Sequence, residues 1–261
     1  MRVMLLTCAD PNQVALAHKL ADVCDLTGIV VSQNIPRRRR RPGPRRACNA
    51  AAARTVGAPL VAAWRAINER YRRQYGGFPD VGMLPVPNVN DAPVVSAIEE
   101  GDPDLVAVSG TNLIGRAVLE AASRRRGAVN LHVGLSPYLN GGPNCTNWCL
   151  ALGRFDLIGS TVMWLNPEID GGDIIASELT PLHGRETLAE LHWAVMEHAH
   201  DLYVRCVAAL ASGASLPGVP QPAVGNGTTF YNAQWTARQM VRARWNFRRD
   251  YPSAVGGEPA A

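Results

Sequence analysis

The sequence predicts an α/β fold: a mostly parallel sheet flanked by helices, then a β-hairpin and a short C-terminal helical extension. Two observations carry this. Strand and helix signals alternate through roughly the first 130 residues, and units of that length close a parallel sheet rather than a chain of hairpins. Later, residues 161–165 and 174–177 form two apolar runs with a tight glycine-containing link, the pattern of a hairpin.

Taken in order, residues 3–7 read as a buried strand, and 13–24 as a helix with Val14, Leu16, Ala17, Leu20 and Val23 on one stripe. Residues 26–31 are the next strand. The Pro- and Arg-rich stretch 36–46 reads as a loop, because Pro42-Gly43-Pro44 interrupts either regular structure. Residues 47–56 read as a helix, 59–62 as a strand, 65–74 as a helix and 78–93, with four prolines, as irregular. Residues 94–100 end a helix, 105–108 form a strand, 116–126 a helix, and 128–133 a strand that turns polar partway. Residues 187–210 give a long amphipathic helix, and 234–249 a helical stretch inside a Pro- and Gly-rich tail.

Composition narrows the function. Of 261 residues, 47% are hydrophobic and 18% charged, the balance of a globular chain. No apolar run reaches a membrane span, and Met1 to Leu6 already reads as a strand rather than a leader, so the cytoplasm is the expected compartment. Six scattered cysteines fit reduced thiols there better than a disulfide framework. The net charge is +4, but seven arginines between Arg37 and Arg46 outweigh it and leave −3 for everything else. Lys19 is the only lysine, a bias that phosphate binding does not explain. Neither a nucleic-acid nor a membrane partner is expected. The arginine run can meet an acceptor's phosphates, though a solvated loop is the plainer reading.

There is no G-x-G-x-x-G after the first strand, no P-loop, no G-x-S-x-G and no C-x-x-C. Cys145 and Cys149, four apart on an expected helix, read as two partly buried thiols, since no third ligand accompanies them. His192, His198 and His200 on the long helix read as packing or surface residues. No metal site is expected.

The informative segment is Asn130-Leu131-His132-Val133-Gly134-Leu135-Ser136-Pro137-Tyr138. Asn130 and His132 alternate with apolar neighbours, so both polar side chains point to one side of a buried strand, where polar groups need partners or a purpose. The strand runs into a loop at the carboxyl end of the sheet, where open α/β sheets place ligands. Asn166-Pro167-Glu168-Ile169-Asp170-Gly171-Gly172-Asp173 then supplies carboxylates on a glycine-rich loop. An amide, an imidazole and a carboxylate in one cleft suit acyl transfer to an amine: two groups hold a developing oxyanion, and the third charges the histidine or takes a proton. A buried structural histidine bonded to Asn130 is the competing account.

At these residues the chain resembles the formyltransferase family. The resemblance rests on Asn130-x-His132, then Leu135-Ser136-Pro137-Tyr138 and Gly141, then Gly159-x-Thr161-Val162 and Asp170-Gly171-Gly172-Asp173-Ile174-Ile175. It follows element order over residues 1–210 and is sharp over 104–176. The resemblance implies a Rossmann-like formyltransferase catalytic domain at residues 1–212, with 213–261 as the extension. It implies catalytic roles for Asn130, His132 and Asp170. It also implies 10-formyltetrahydrofolate as donor, lying between Thr111, Asn112, Leu113, Ile114 and Gly115 on one side and Asn166, Glu168 and Ile169 on the other.

Where family members often carry arginine before Gly141, this chain has Asn140, which unsettles the acceptor contacts alone. About fifty residues follow the long helix, too few for the β-barrel domain of methionyl-tRNA formyltransferases, so a small-molecule amine is the expected acceptor. A nucleotide-linked amino sugar leads. An amino acid, an ornithine-type siderophore precursor or glycinamide ribonucleotide are the alternatives, and a non-catalytic formyltransferase-like binding protein is the non-enzymatic one. Tyr231, Trp235 and Trp245 can stack on a base, bury a homodimer face or pack on the main domain, the last being the plainest.

Overall fold

The computed structural model describes residues 1–35, 44–142 and 144–256, without the side chains of residues 44–47. In chain order the elements are β1 Arg2–Cys8, α1 Pro11–Ala21, β2 Asp25–Ser32, α2 Pro44–Arg54, α3 Ala58–Tyr75, β3 Met83–Val86, α4 Ala92–Gly101, β4 Leu105–Val108, α5 Arg116–Ala122 and β5 Ala128–His132. They continue with β6 Leu139–Gly141, α6 Cys145–Leu152, β7 Gly159–Trp164, β8 Ile174–Leu179, α7 Leu188–Ala211, α8 Gln221–Val224, β9 Thr228–Phe230, α9 Ala237–Arg249 and α10 Tyr251–Gly256.

Seven strands form one sheet in the order β3-β2-β1-β4-β5-β7-β8. The first five are mutually parallel, and β7 and β8 run antiparallel at the end. Alternation along β1 sorts its side chains between two layers. Val3 and Leu5 join Leu16, Leu20, Ala199, Tyr203 and Val207 of α1 and α7 on one face. Met4 and Leu6 join Val94, Ile98, Val118 and Ala121 of α4 and α5 on the other. This is the two-sided burial that makes central parallel strands read as unbroken apolar runs. Thr187 caps α7, accepting from the Glu190 amide while the Glu190 carboxylate takes the Thr187 amide, a reciprocal pairing that satisfies two end donors.

Four element readings need correction. Residues 59–62 are the first turns of α3, not a strand: Pro59 stands at the helix start, where its fixed φ and missing N–H cost nothing. The buried spacing Leu60, Ala63, Ile67, Tyr71 is helical. The third parallel strand lies instead at β3, inside the stretch read as irregular. Pro85 is accommodated because β3 is an edge strand. Helix α2 begins at Pro44, so the expected loop ends sooner, and Arg37 to Arg41 lie outside the described residues. Strands β7 and β8 do pair antiparallel, but residues 165–173 link them as a long loop rather than a tight turn.

One buried phenol fixes the spacing at the sheet's functional end. Tyr203 Oη, from α7, accepts from the Val108 amide at 2.9 Å and donates to the Val129 carbonyl at 2.9 Å. It thereby bridges the ends of β4 and β5. Tyr203→Phe removes a buried hydroxyl and its bonds to both strands, and is expected to cost about 0.5–1.5 kcal/mol. Urea unfolding of the two proteins measures the difference.

The chain after residue 213 folds back onto this body. Met240 and Ala243 of α9 and Tyr251 of α10 share a buried cluster with Trp148, Cys149 and Leu150 of α6 and Leu191 and Val195 of α7. β9 pairs parallel with β6, Gly141 opposite Phe230. Trp235 packs edge-on to Trp148 at 5.1 Å, whereas Tyr231 and Trp245 stay exposed.

Candidate functional site

The sheet order reverses between β1 and β4, and a crevice opens at the carboxyl ends of the strands beside that point, the usual ligand position in open α/β sheets. A cavity of about 820 Å³ occupies it. Its floor is Asn130, Leu131 and His132 of β5. Its walls are Asp10, Asn12 and Gln13 after β1, Ser109 to Ile114 after β4, Glu168 to Asp170 from the β7–β8 loop, and Phe230 to Ala233 after β9.

Asn130, His132 and Asp170 all line this cavity. Asp170 Oδ2 lies 3.4 Å from His132 Nδ1 and accepts the Gly141 amide at 2.8 Å. On the other side of the ring, His132 Nε2 lies 2.9 Å from the Leu139 carbonyl oxygen and 3.6 Å from Cys145 Sγ. Both ring nitrogens thus face acceptors, an arrangement only the doubly protonated imidazolium satisfies fully. Burial disfavours that charge, yet Asp170, Cys145 and the Leu139 carbonyl outweigh it and hold the His132 pKa up at about 10. The side chain of Asn130 makes no hydrogen bond among the described residues, which leaves its amide facing the cavity. An amide donor and a fixed cation on one floor are what a developing oxyanion requires.

Asp170 adopts φ +47°, a left-handed conformation that aspartate tolerates better than most residues. Gln221, in α8, holds it there: its Nε2 donates to the carbonyls of Asp170 at 2.5 Å and Gly172 at 2.9 Å. Gln221 Oε1 in turn accepts from Asn140 Nδ2 at 3.2 Å, and Asn140 Oδ1 accepts from Ser136 Oγ at 2.5 Å. Asn140 is therefore buried in a network that braces the loop, not directed at a ligand. Asp173, the second carboxylate of the Asp-Gly-Gly-Asp run, is exposed and does not line the cavity.

The residues expected at the donor divide. Thr111, Asn112, Leu113 and Ile114 line the cavity, and so do Glu168 and Ile169. Gly115 does not reach it. Its amide binds Asn90 Oδ1 at 2.5 Å, and it caps α5. Asn166 also turns away, donating to the Gly171 carbonyl at 3.1 Å and accepting the Glu168 amide at 2.9 Å, so it shapes the loop from within. Leu113 and Ile169 are 50% and 39% exposed, two apolar side chains in the cavity lining.

Sequence reasoning missed Gln221, Cys145 and, apart from Tyr231, the Phe230–Ala233 wall. Gln221 lies 51 residues from Asp170, with no local pattern to link them, and Cys145 was read only as a packed thiol. The helical histidines behave as expected. His192 and His200 are buried, and burial pushes their pKa values down to about 4 and about 3. His198 lies 3.1 Å from Glu178. Among the described residues no group of three His, Cys, Asp or Glu side chains could hold a metal ion, and no helix is long and apolar enough to cross a membrane.

Comparison with known proteins bears on this geometry. Residues 82–207, which contain Asn130, His132 and Asp170, match the family described as Formyl transferase. Curated relatives include the methionyl-tRNA formyltransferase of Clostridium botulinum, 26% identical over 157 residues, covering 60% of this chain and 48% of that protein. That of Alkaliphilus oremlandii is 31% identical over 135 residues, covering 51% and 42%. The chain spans about half the length of the curated relatives it matches. Among solved structures, a sugar N-formyltransferase from a Shewanella species superposes with a TM-score of 0.57 at 17% identity, over 93% of this chain and 87% of that one. A phosphoribosylglycinamide formyltransferase from Anaplasma phagocytophilum superposes at 0.55 with 18% identity, over 82% and 88%. The structural likeness establishes the fold, and the sequence match to the formyl transferase family covers residues 82–207, just under half of the chain.

Proposed function

We propose that this protein transfers a formyl group from 10-formyltetrahydrofolate to the primary amine of a small molecule. The observation that carries the reading is the convergence of Asn130, His132 and Asp170 on one cavity floor, with the imidazole held between Asp170 and the Leu139 carbonyl. In this reading the amine attacks the formyl carbon, and negative charge grows on the formyl oxygen. The Asn130 amide and the His132 cation stabilise that charge. Asp170 keeps the imidazole charged and receives the proton the amine must lose. The bond from the formyl carbon to the donor nitrogen then breaks, and that nitrogen takes up the proton that Asp170 received, which restores the carboxylate.

The exposed apolar side chains of Leu113 and Ile169 in the cavity lining suit contact with the flat ring of the donor. The volume, about 820 Å³, is on the small-molecule scale. The lining also holds Trp64, Phe230 and Tyr231 with Asn12 and Asn232, aromatic and amide groups suited to the base and sugar of a nucleotide-linked amino sugar, our leading acceptor. The methionyl-tRNA acceptor named for the curated relatives is its rival.

Two measurements test the reading. A stable folate, 5-formyltetrahydrofolate, is expected to raise the melting temperature, since a ligand of the native state alone stabilises it by mass action. Transfer assays with 10-formyltetrahydrofolate should then show turnover with nucleotide-linked amino sugars and none with methionyl-tRNA. A thermal shift without turnover on any amine would favour a binding protein, and the absence of both would overturn the proposal.

A further inference from the structure

Cys145 is the first residue of α6, and it is buried against the one imidazole that the proposed chemistry uses. Its sulfur lies 3.6 Å from His132 Nε2, 3.5 Å from the Gly141 carbonyl and 3.7 Å from the Leu139 carbonyl. The S–H can donate to either carbonyl, which turns the sulfur lone pairs toward the Nε2–H. The Leu139 carbonyl, at 2.9 Å, already accepts that proton; the sulfur is a second, polarizable acceptor beside it. The charged and titratable groups facing the ring are Asp170, from the β7–β8 loop, and Cys145, from α6.

The surroundings leave the thiol little freedom. Asn144, just before it, caps α6 by accepting the Asn147 amide at 2.9 Å, and Gly134 packs so closely that an added Cβ would lie 2.9 Å from Cys145 Cβ. Sulfur, ring and carbonyl are thereby locked in one arrangement. We propose that Cys145 is a positioning residue for His132, sharing the Nε2 proton with the Leu139 carbonyl so that the ring stays charged and turned to Asp170. This rests on the formyl-transfer reading for its catalytic consequence, and on geometry alone for its effect on the imidazole.

The test separates the two. Wild type, Cys145→Ala, Cys145→Ser and the near-isosteric Cys145→Val are labelled on histidine nitrogen, and the His132 ring is followed by NMR from about pH 5 to about pH 10.5, a range spanning the ordinary and raised imidazole values. In Ala and Val, which lack an acceptor, His132 should bind its proton at least about tenfold more weakly. The pH dependence of kcat should move with it while KM for the donor stays unchanged. Ser, which keeps an acceptor, should restore most of both. An unchanged His132 titration in folded Ala or Val protein would overturn the proposal. A wild type without turnover would overturn the formyl-transfer reading and leave the NMR result to decide the role of Cys145.

Discussion

Asp170→Asn is expected to lower the maximal rate of formyl transfer by about two to four orders of magnitude, the range for a lost general base and its electrostatic partner. Donor affinity should hold. The substitution is nearly isosteric, asparagine tolerates the left-handed backbone at this position, and an amide oxygen can still accept the Gly141 N–H. What disappears is the negative charge 3.4 Å from His132 Nδ1. Asp173→Asn, at an exposed carboxylate outside the cavity, should change the rate several-fold at most. Near-native turnover in Asp170→Asn would show that the imidazole needs no anion.

The same pair sets a pH signature. Because the folded-state pKa of His132 is raised to about 10, the pair's contribution to stability is fully present below the unfolded imidazole value, about 6.5, and is lost as pH rises through about 10. Urea midpoints of the wild type should therefore fall across that alkaline window, and those of Asp170→Asn should fall less.

Gly134→Ala is expected to be nearly as damaging, for a steric reason. A Cβ at residue 134 would overlap His132 Nε2, lie 2.8 Å from the Leu139 carbonyl oxygen and meet Cys145 Cβ at 2.9 Å. Two of these neighbours are fixed by strand β6 and helix α6, so the imidazole must give way. Overpacking of this kind costs about 1–3 kcal/mol, and a displaced ring should lower turnover at least about a hundredfold, since small misplacements of a catalytic group carry penalties of that order. Melting temperature and steady-state rates measure the two effects. Gly82→Ala, where a Cβ has open space, is the control and should change neither.

Much of the fold was legible because burial on both faces imposes a simple code. β1 and β4 are near-continuous apolar runs, and α7 shows its amphipathic stripe. Three of the four misread segments share a cause: proline carries opposite meanings by context. Pro59 opens a helix and Pro85 lies on an edge strand, and only the neighbours decide which.

By itself the sequence determined the alternating α/β order, the polar pair Asn130 and His132 on one strand face, and the carboxylate loop beyond it. Each is a local property, set by a period of two or 3.6 residues or by a short motif. The resemblance singled out Asp170 from its loop, whereas tertiary structure alone decided that Cys145 and the Leu139 carbonyl close the imidazole's other side, and that Gln221 and the Phe230–Ala233 wall come from the chain after residue 213. Those contacts join residues that local periodicity leaves independent, some of them dozens of positions apart. They exist because folding gathers the few buried polar groups of the chain into one place where they can satisfy each other.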